Sequence, residues 1–246
     1  MQRQVSTIWE LVREFLSKLR EQCEKDGGYI AIVEVCGFND WLLKLLPEYG
    51  CREVVLIQPE ERAKKKTDRR DANRLSELLW GNRQRLLAGQ RVQGLRRTWI
   101  PSAEDRADRQ LVALRRRLGA MRTRIVNRVM HVLRKHNLQQ ECPTKGIKTK
   151  QARAWLKKVA LPLLDRFELN QTLKQWELLD GDLHEVEKRI AERVQLNPNA
   201  MRIPTIYQSG GSAGYSGLAL AAGIGSIDRF PKPRSLANYW GLTPGS

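Results

Sequence analysis

The chain has 246 residues, 41% hydrophobic and 29% charged, which suffices for one large domain or two modest ones with a real core. Its 44 lysines and arginines outnumber 27 acids, giving a formal net charge of +17, a surplus that polyphosphate most commonly neutralises, so nucleic acid is the expected partner. A membrane is excluded as the main partner: no terminal basic amphipathic segment stands out, the first thirty residues hold no signal-type apolar run, and "GLALAAGIGSI" (217–227) is too short to span a bilayer.

Residues 5–22 read as a helix, with Val5, Ile8, Leu11 or Val12, Phe15 and Leu19 at helical spacing and "KDGG" as its stop. "YIAIVEVCG" (29–37) is a short apolar, β-branched run and predicts a buried strand. "NDWLLKLLPEYG" (39–50) predicts a helix ending at Gly50, and "CREVVLIQP" (51–59) a second buried strand closed by Pro59. Uninterrupted apolar strands alternating with helices argue for a parallel α/β unit. A third helix then begins within "KKKTDRRDANRLSELLW" (64–80).

The character changes near residue 100, where "WIPSAEDRADRQ" holds a Pro and then a helix start. From Gln110 to Leu138 the chain reads as helical and carries no acid. Leu111, Leu114, Leu118, Met121 and Ile125 step as in a coiled-coil seam, while Arg115, Arg116, Arg117, Arg122, Arg124, Arg128, Arg134 and Lys135 fill much of the remaining surface. So long a basic run self-repels unless a polyanion lies near it. A loop is expected at 141–150 and a second long helix at about 151–195, with Leu173, Trp176, Leu179, Leu183, Val186, Ile190 and Val194 as its seam. The two seams predict either a homo-oligomer or packing against each other within one chain. Residues 201–246 are rich in glycine and small side chains. The four cysteines have no metal-site spacing and suggest no disulfide framework, so reduced thiols and a cytoplasmic location are expected.

Asp68 and Asp71 lie three apart among Lys64, Lys65, Lys66, Arg69 and Arg70. One reading makes Asp68 an N-cap and Asp71 the N3 residue, both stabilised by the positive end of the helix dipole. The other makes them metal ligands. They share a side with Ala72, Leu75 and Leu79, and buried carboxylates need a partner. Glu34 stands within the first apolar strand, where it too needs compensation. A parallel sheet gathers strand ends and helix starts, so Glu34, Asp68 and Asp71 can converge. Mg²⁺ is the common remedy for crowded carboxylates, and the neighbouring cations would then hold a nucleic-acid backbone.

Several stretches together carry a family resemblance: "VEVCGFNDWL", "KKTDRRDA", "IPTI" and "IDRFPKPRSLANYWGLTP". They resemble the DEDD-type transposases of the IS-one-ten insertion-sequence family, relatives of Piv-type DNA invertases, over nearly the whole chain. The resemblance implies a RuvC-like, RNase H-type domain over 1–100, a helical coiled coil over 101–200, and the start of a C-terminal helical transposase domain from 201 to 246. It implies DNA transposition by Mg²⁺-dependent phosphodiester chemistry, directed by a structured guide RNA. By motif, Glu34, Asp68 and Asp71 match three of the four family carboxylates, and the arginine-rich helix becomes a coiled-coil and nucleic-acid surface. The family's first aspartate belongs on a strand before the helix at 5–22, a position that Asp26 and Asp40 do not fit. The family's nucleophilic serine follows G-L-x-P, and Ser246 lies nearby without that context. A copy short at both ends and impaired in catalysis is therefore the expectation. Two alternatives stand beside it: a non-catalytic nucleic-acid-binding remnant, and a Holliday-junction-type nuclease that uses the carboxylates alone.

Overall fold

The computed structural model describes residues 4–58, 68–90, 92, 98–206 and 213–243, without the side chains of 68, 204–206 and 213. The protein is mostly helical, with a small two-stranded parallel sheet near the N-terminus and two long helices packed together. The chain divides into two compact units, Met1–Ile100 and Pro101–Ser246. Among the described residues no helix is long and apolar enough to cross a membrane.

The first unit runs α1 (Trp9–Cys23), β1 (Tyr29–Glu34), α2 (Asp40–Glu48), β2 (Cys51–Ile57), α3 (Asp68–Gly81) and α4 (Arg83–Leu87). β1 and β2 pair in parallel, from Tyr29 opposite Cys51 to Glu34 opposite Ile57. Strand alternation gives the sheet two apolar faces. Ala31, Val33 and Val54 pack with Val12, Leu16, Leu45 and Leu46 of α1 and α2. Ile30, Ile32, Val55 and Ile57 pack with Leu75, Leu78, Leu79 and Leu86 of α3 and α4. Helices on both faces are what apolar parallel strands require. The α1–β1 turn depends on glycine: Gly28 has φ +109°, and a Cβ there would sit 2.4 Å from the Gly50 carbonyl oxygen.

Both strands are shorter than their apolar runs. β1 ends at Glu34, and Val35 to Phe38 are exposed, although the Val35 amide still donates to the Ile57 carbonyl (2.8 Å). Glu34 therefore closes the strand and does not sit in its middle. It is also only half-buried, as is every β1 residue, because two strands cannot wall each other off from solvent. Beyond β2, on the edge away from β1, the Thr98 amide donates to the Leu56 carbonyl (2.7 Å).

The second unit contains α5 (Ala103–Lys135), α6 (Lys150–Leu156), α7 (Leu163–Leu196), α8 (Pro198–Ile206), α9 (Ala213–Ile224) and α10 (Pro233–Tyr239). α5 starts within "WIPSAEDRADRQ", as expected, where Ser102 caps it: its hydroxyl accepts from the Asp105 amide at 3.0 Å. The predicted helix at 151–195 is interrupted between 157 and 162. Thr149 caps a short α6, and α7 restarts after Pro162, whose ring cannot extend a preceding helix. α7 buries Leu173, Trp176, Leu179, Leu183, Val186 and Ile190, as its spacing predicts. Its N-terminal half packs on Val129 and Leu133 of α5, and its C-terminal half packs with Leu111, Leu114 and Leu118 of α5 and with α8 and α9. The two seams thus meet within the chain. Met121 stands outside them, 47% exposed. A buried ion pair fixes α5 to α7: Arg193 Nε donates to Asp108 Oδ1 at 2.6 Å, and Asp108 is 1% exposed.

Candidate nucleic-acid interface

The acid-free stretch of α5 is not left to repel itself. Its neighbour α7 carries acids at helical intervals, and these reach across to it. Glu187 accepts from Arg115 (2.9 Å), Asp180 lies 2.7 Å from Arg122 Nε, Glu168 pairs with Arg128, and Asp165 accepts from Lys135 (2.8 Å). Asp180 is shared with Arg153 of α6, whose guanidinium stacks on Trp176 at 4.2 Å. The hydrogen bond from Lys135, then that from His136, holds the Asp165 carboxyl below the usual carboxylate range. The sequence argument that this run needs a foreign polyanion is corrected accordingly: much of the neutralising charge is intramolecular.

What remains is more selective than the whole arginine run. Arg116, Arg117 and Arg124 are exposed, and nothing among the described residues engages them in an ion pair or hydrogen bond. Arg117 and Arg124 are seven apart, two helical turns, and share a face. Arg116 lies around the helix towards a cleft of about 310 Å³ that Arg115, Arg122, Lys148 and Tyr215 also line. Arg115 stacks over the Tyr215 ring at 4.8 Å. Sequence reasoning found the arginines but not Lys148 or Tyr215, which come to the cleft from the 141–150 segment and from α9. It also had no means of separating Arg116, Arg117 and Arg124 from the paired Arg115, Arg122 and Arg128.

The carboxylates belong to the first unit. Glu34 ends β1, and by strand parity it faces the side of Ile30 and Ile32, which α3 covers. Its backbone carbonyl accepts from Asn39 Nδ2 at 2.9 Å. Asp71 stands in the first turn of α3 and is half-buried, in line with the partly buried Leu75, Leu78 and Leu79. Ala72 is exposed, so the sheet-facing side of α3 runs through Asp71, Leu75 and Leu78 and leaves Ala72 out. The described part of α3 begins at Asp68. Glu34 and Asp71 thus border one layer between the sheet and α3, at the carboxyl ends of the strands.

The side chain of Asp68, together with Lys64, Lys65, Lys66 and Ser246, lies outside the described residues. Arg69 and Arg70 are exposed on the first turn of α3. Among the described residues no three His, Cys, Asp or Glu side chains gather into a group able to hold a metal ion. Glu34 and Asp71 alone do not make an Mg²⁺ cage, which takes further oxygen ligands. No protein-family model matches the chain, and no curated protein matches it.

Proposed function

We propose that this protein binds nucleic acid through α5 as part of a DNA-recombination system of the kind its sequence resembles, the IS-one-ten-type transposases. One observation carries the binding reading: among the described residues Arg116, Arg117, Arg124 and Arg134 stay exposed and unengaged, while Arg115, Arg122 and Arg128 of the same helix pair with α7. Unpaired guanidiniums along one helix are what phosphate backbones recognise, and a chain of net charge +17 gains by meeting them. On this reading the first unit is part of an RNase H/RuvC-like domain, α5 and α7 are the family's coiled coil, and α8 to α10 begin its C-terminal transposase domain. The parallel order β1–α2–β2, with helices on both faces, supports the first of these assignments. A guide RNA and DNA are the proposed partners.

A second reading adds chemistry. The shared layer of Glu34 and Asp71, at the carboxyl ends of parallel strands, is where α/β proteins place their sites, and it favours Glu34, Asp68 and Asp71 as an Mg²⁺-binding set for phosphodiester cleavage. Two assays separate the readings. Fluorescence anisotropy with labelled DNA and RNA measures binding; strand cleavage and joining are followed on gels with and without Mg²⁺. The transposase reading expects Mg²⁺-dependent strand breakage that Glu34→Gln, Asp68→Asn and Asp71→Asn each abolish while binding persists. Binding without metal-dependent cleavage, indifferent to all three substitutions, leaves a non-catalytic nucleic-acid-binding protein. Absence of binding at low salt ends both readings.

A further inference from the structure

The cleft beside α5 differs from the rest of the basic surface. Arg115, Arg116, Arg122 and Lys148 line it, and no acid among the described residues does. Two of these cations are held in place from behind: Arg115 by Glu187 and the Tyr215 ring, and Arg122 by Asp180. The other two, Arg116 and Lys148, are exposed and have no ion pair or hydrogen bond among the described residues. The volume of about 310 Å³ stands at the small end of the range for ligand pockets, about 300–1,000 Å³.

Gly119 contributes to the cleft by what it lacks. It sits in the interior of a 33-residue helix, where glycine is less favourable than alanine. A Cβ at this position would meet only Arg115 Nη1, at an ordinary 3.6 Å. Helix packing does not require the glycine; its bare backbone deepens the cleft.

We infer that this cleft seats the phosphodiester backbone of a single-stranded nucleic acid, with Arg116 and Lys148 donating to phosphate oxygens between the fixed guanidiniums of Arg115 and Arg122. A concave site between helices suits a flexible strand, which can bend a phosphate inward; a duplex presents its phosphates on a stiff convex surface. Arg117 and Arg124 on the outer face of α5, with exposed Lys145 and Lys150 on the segment that carries Lys148, extend the positive surface beyond the cleft. That extension favours a polymer over an isolated nucleotide. The inference rests on the nucleic-acid-binding reading and narrows it to one site and one strand form.

The test uses the full chain, with a short labelled single strand (DNA and RNA versions) and the blunt duplex of the same sequence, read by anisotropy. Arg116→Gln/Lys148→Gln removes the free donors, Gly119→Leu fills the cleft at unchanged charge, and Arg117→Gln/Arg124→Gln removes two charges outside it. Circular dichroism verifies that each variant is folded. The ratio of single-strand to duplex affinity should fall about tenfold in the first variant, the loss of a hydrogen bond to a charged group. It should also fall in Gly119→Leu and hold steady in Arg117→Gln/Arg124→Gln, where both affinities drop together. Equal loss on strand and duplex in all three variants, or a Gly119→Leu protein that binds strands as wild type does, overturns the cleft and leaves only a diffuse basic face. Wild-type protein that binds neither form overturns the underlying reading instead.

Discussion

Two triple substitutions in α5 remove the same formal charge and should have opposite consequences. Arg116→Gln/Arg117→Gln/Arg124→Gln takes away exposed guanidiniums with no partner among the described residues. Arg115→Gln/Arg122→Gln/Arg128→Gln takes away three that pair with Glu187, Asp180 and Glu168 of α7. Each phosphate neutralised contributes about 0.7 to 0.9 to the slope of log affinity against log salt. The exposed triple should therefore flatten that slope by about 2 to 3, while its stability stays within about 0.5 kcal/mol of wild type, as surface substitutions do. The paired triple has the reverse profile. These ion pairs are partly exposed, with arginine side chains 31% to 57% accessible, so each contributes only about 0.2 to 1 kcal/mol. Together they should lower unfolding stability by about 1 to 2 kcal/mol, with a salt slope changed by less than about 1. The assays are a salt titration of binding by anisotropy and a urea melt of each protein. Equal flattening of the slope by both triples would refute the partition, because it would mean that the α7 carboxylates release their arginines whenever a polyanion arrives.

Three further outcomes follow from particular contacts. Tyr29 buries its hydroxyl without a partner, so Tyr29→Phe should raise stability by about 1 kcal/mol in a urea melt; burial, then the Cys51 and Cys23 thiolates, pushes the phenol up to about 12, so the wild-type deficit should widen as pH rises from 10 towards 12. Asp108→Ala, which removes a carboxylate 1% exposed from its pairing with Arg193, should cost about 3 kcal/mol, and adding Arg193→Met should recover part of that; additive losses would count against the pair. The Asp165 carboxyl is held below its ordinary 3.8, so its contribution to stability is present above that pH and lost as pH falls through the lowered value; Asp165→Asn should flatten the acid limb of a stability–pH curve and lower the plateau above it.

The secondary structure was legible where one periodicity ran undisturbed. The parallel β1–α2–β2 unit followed from two apolar runs around an amphipathic segment, and the α7 seam from its three-four spacing. Boundaries were legible only where a residue enforces them. Ser102 marks the start of α5 where the sequence places it, while Pro162 restarts a helix that the sequence reads as unbroken. Glu34 was misplaced because an apolar run does not reveal where pairing stops; "VCG" continues the pattern while leaving the ladder. The pairing of α5 with α7 could not be read from either helix alone. Each seam was visible, yet which arginine meets which acid depends on the relative rotation and register of the two helices, and that is a tertiary property.

The same limit shapes the question of Asp68 and Asp71. Two acids near a helix start are sufficiently explained by the dipole. Asp71 asks for more. It lies in line with Leu75 and Leu78, towards the sheet, and strand parity sends Glu34 to the same layer. A dipole stabilises an acid on any side of the first turn, so it gives no reason for two acids from different elements to border one layer. The acidic border is therefore the part of the first unit that the helix dipole does not account for.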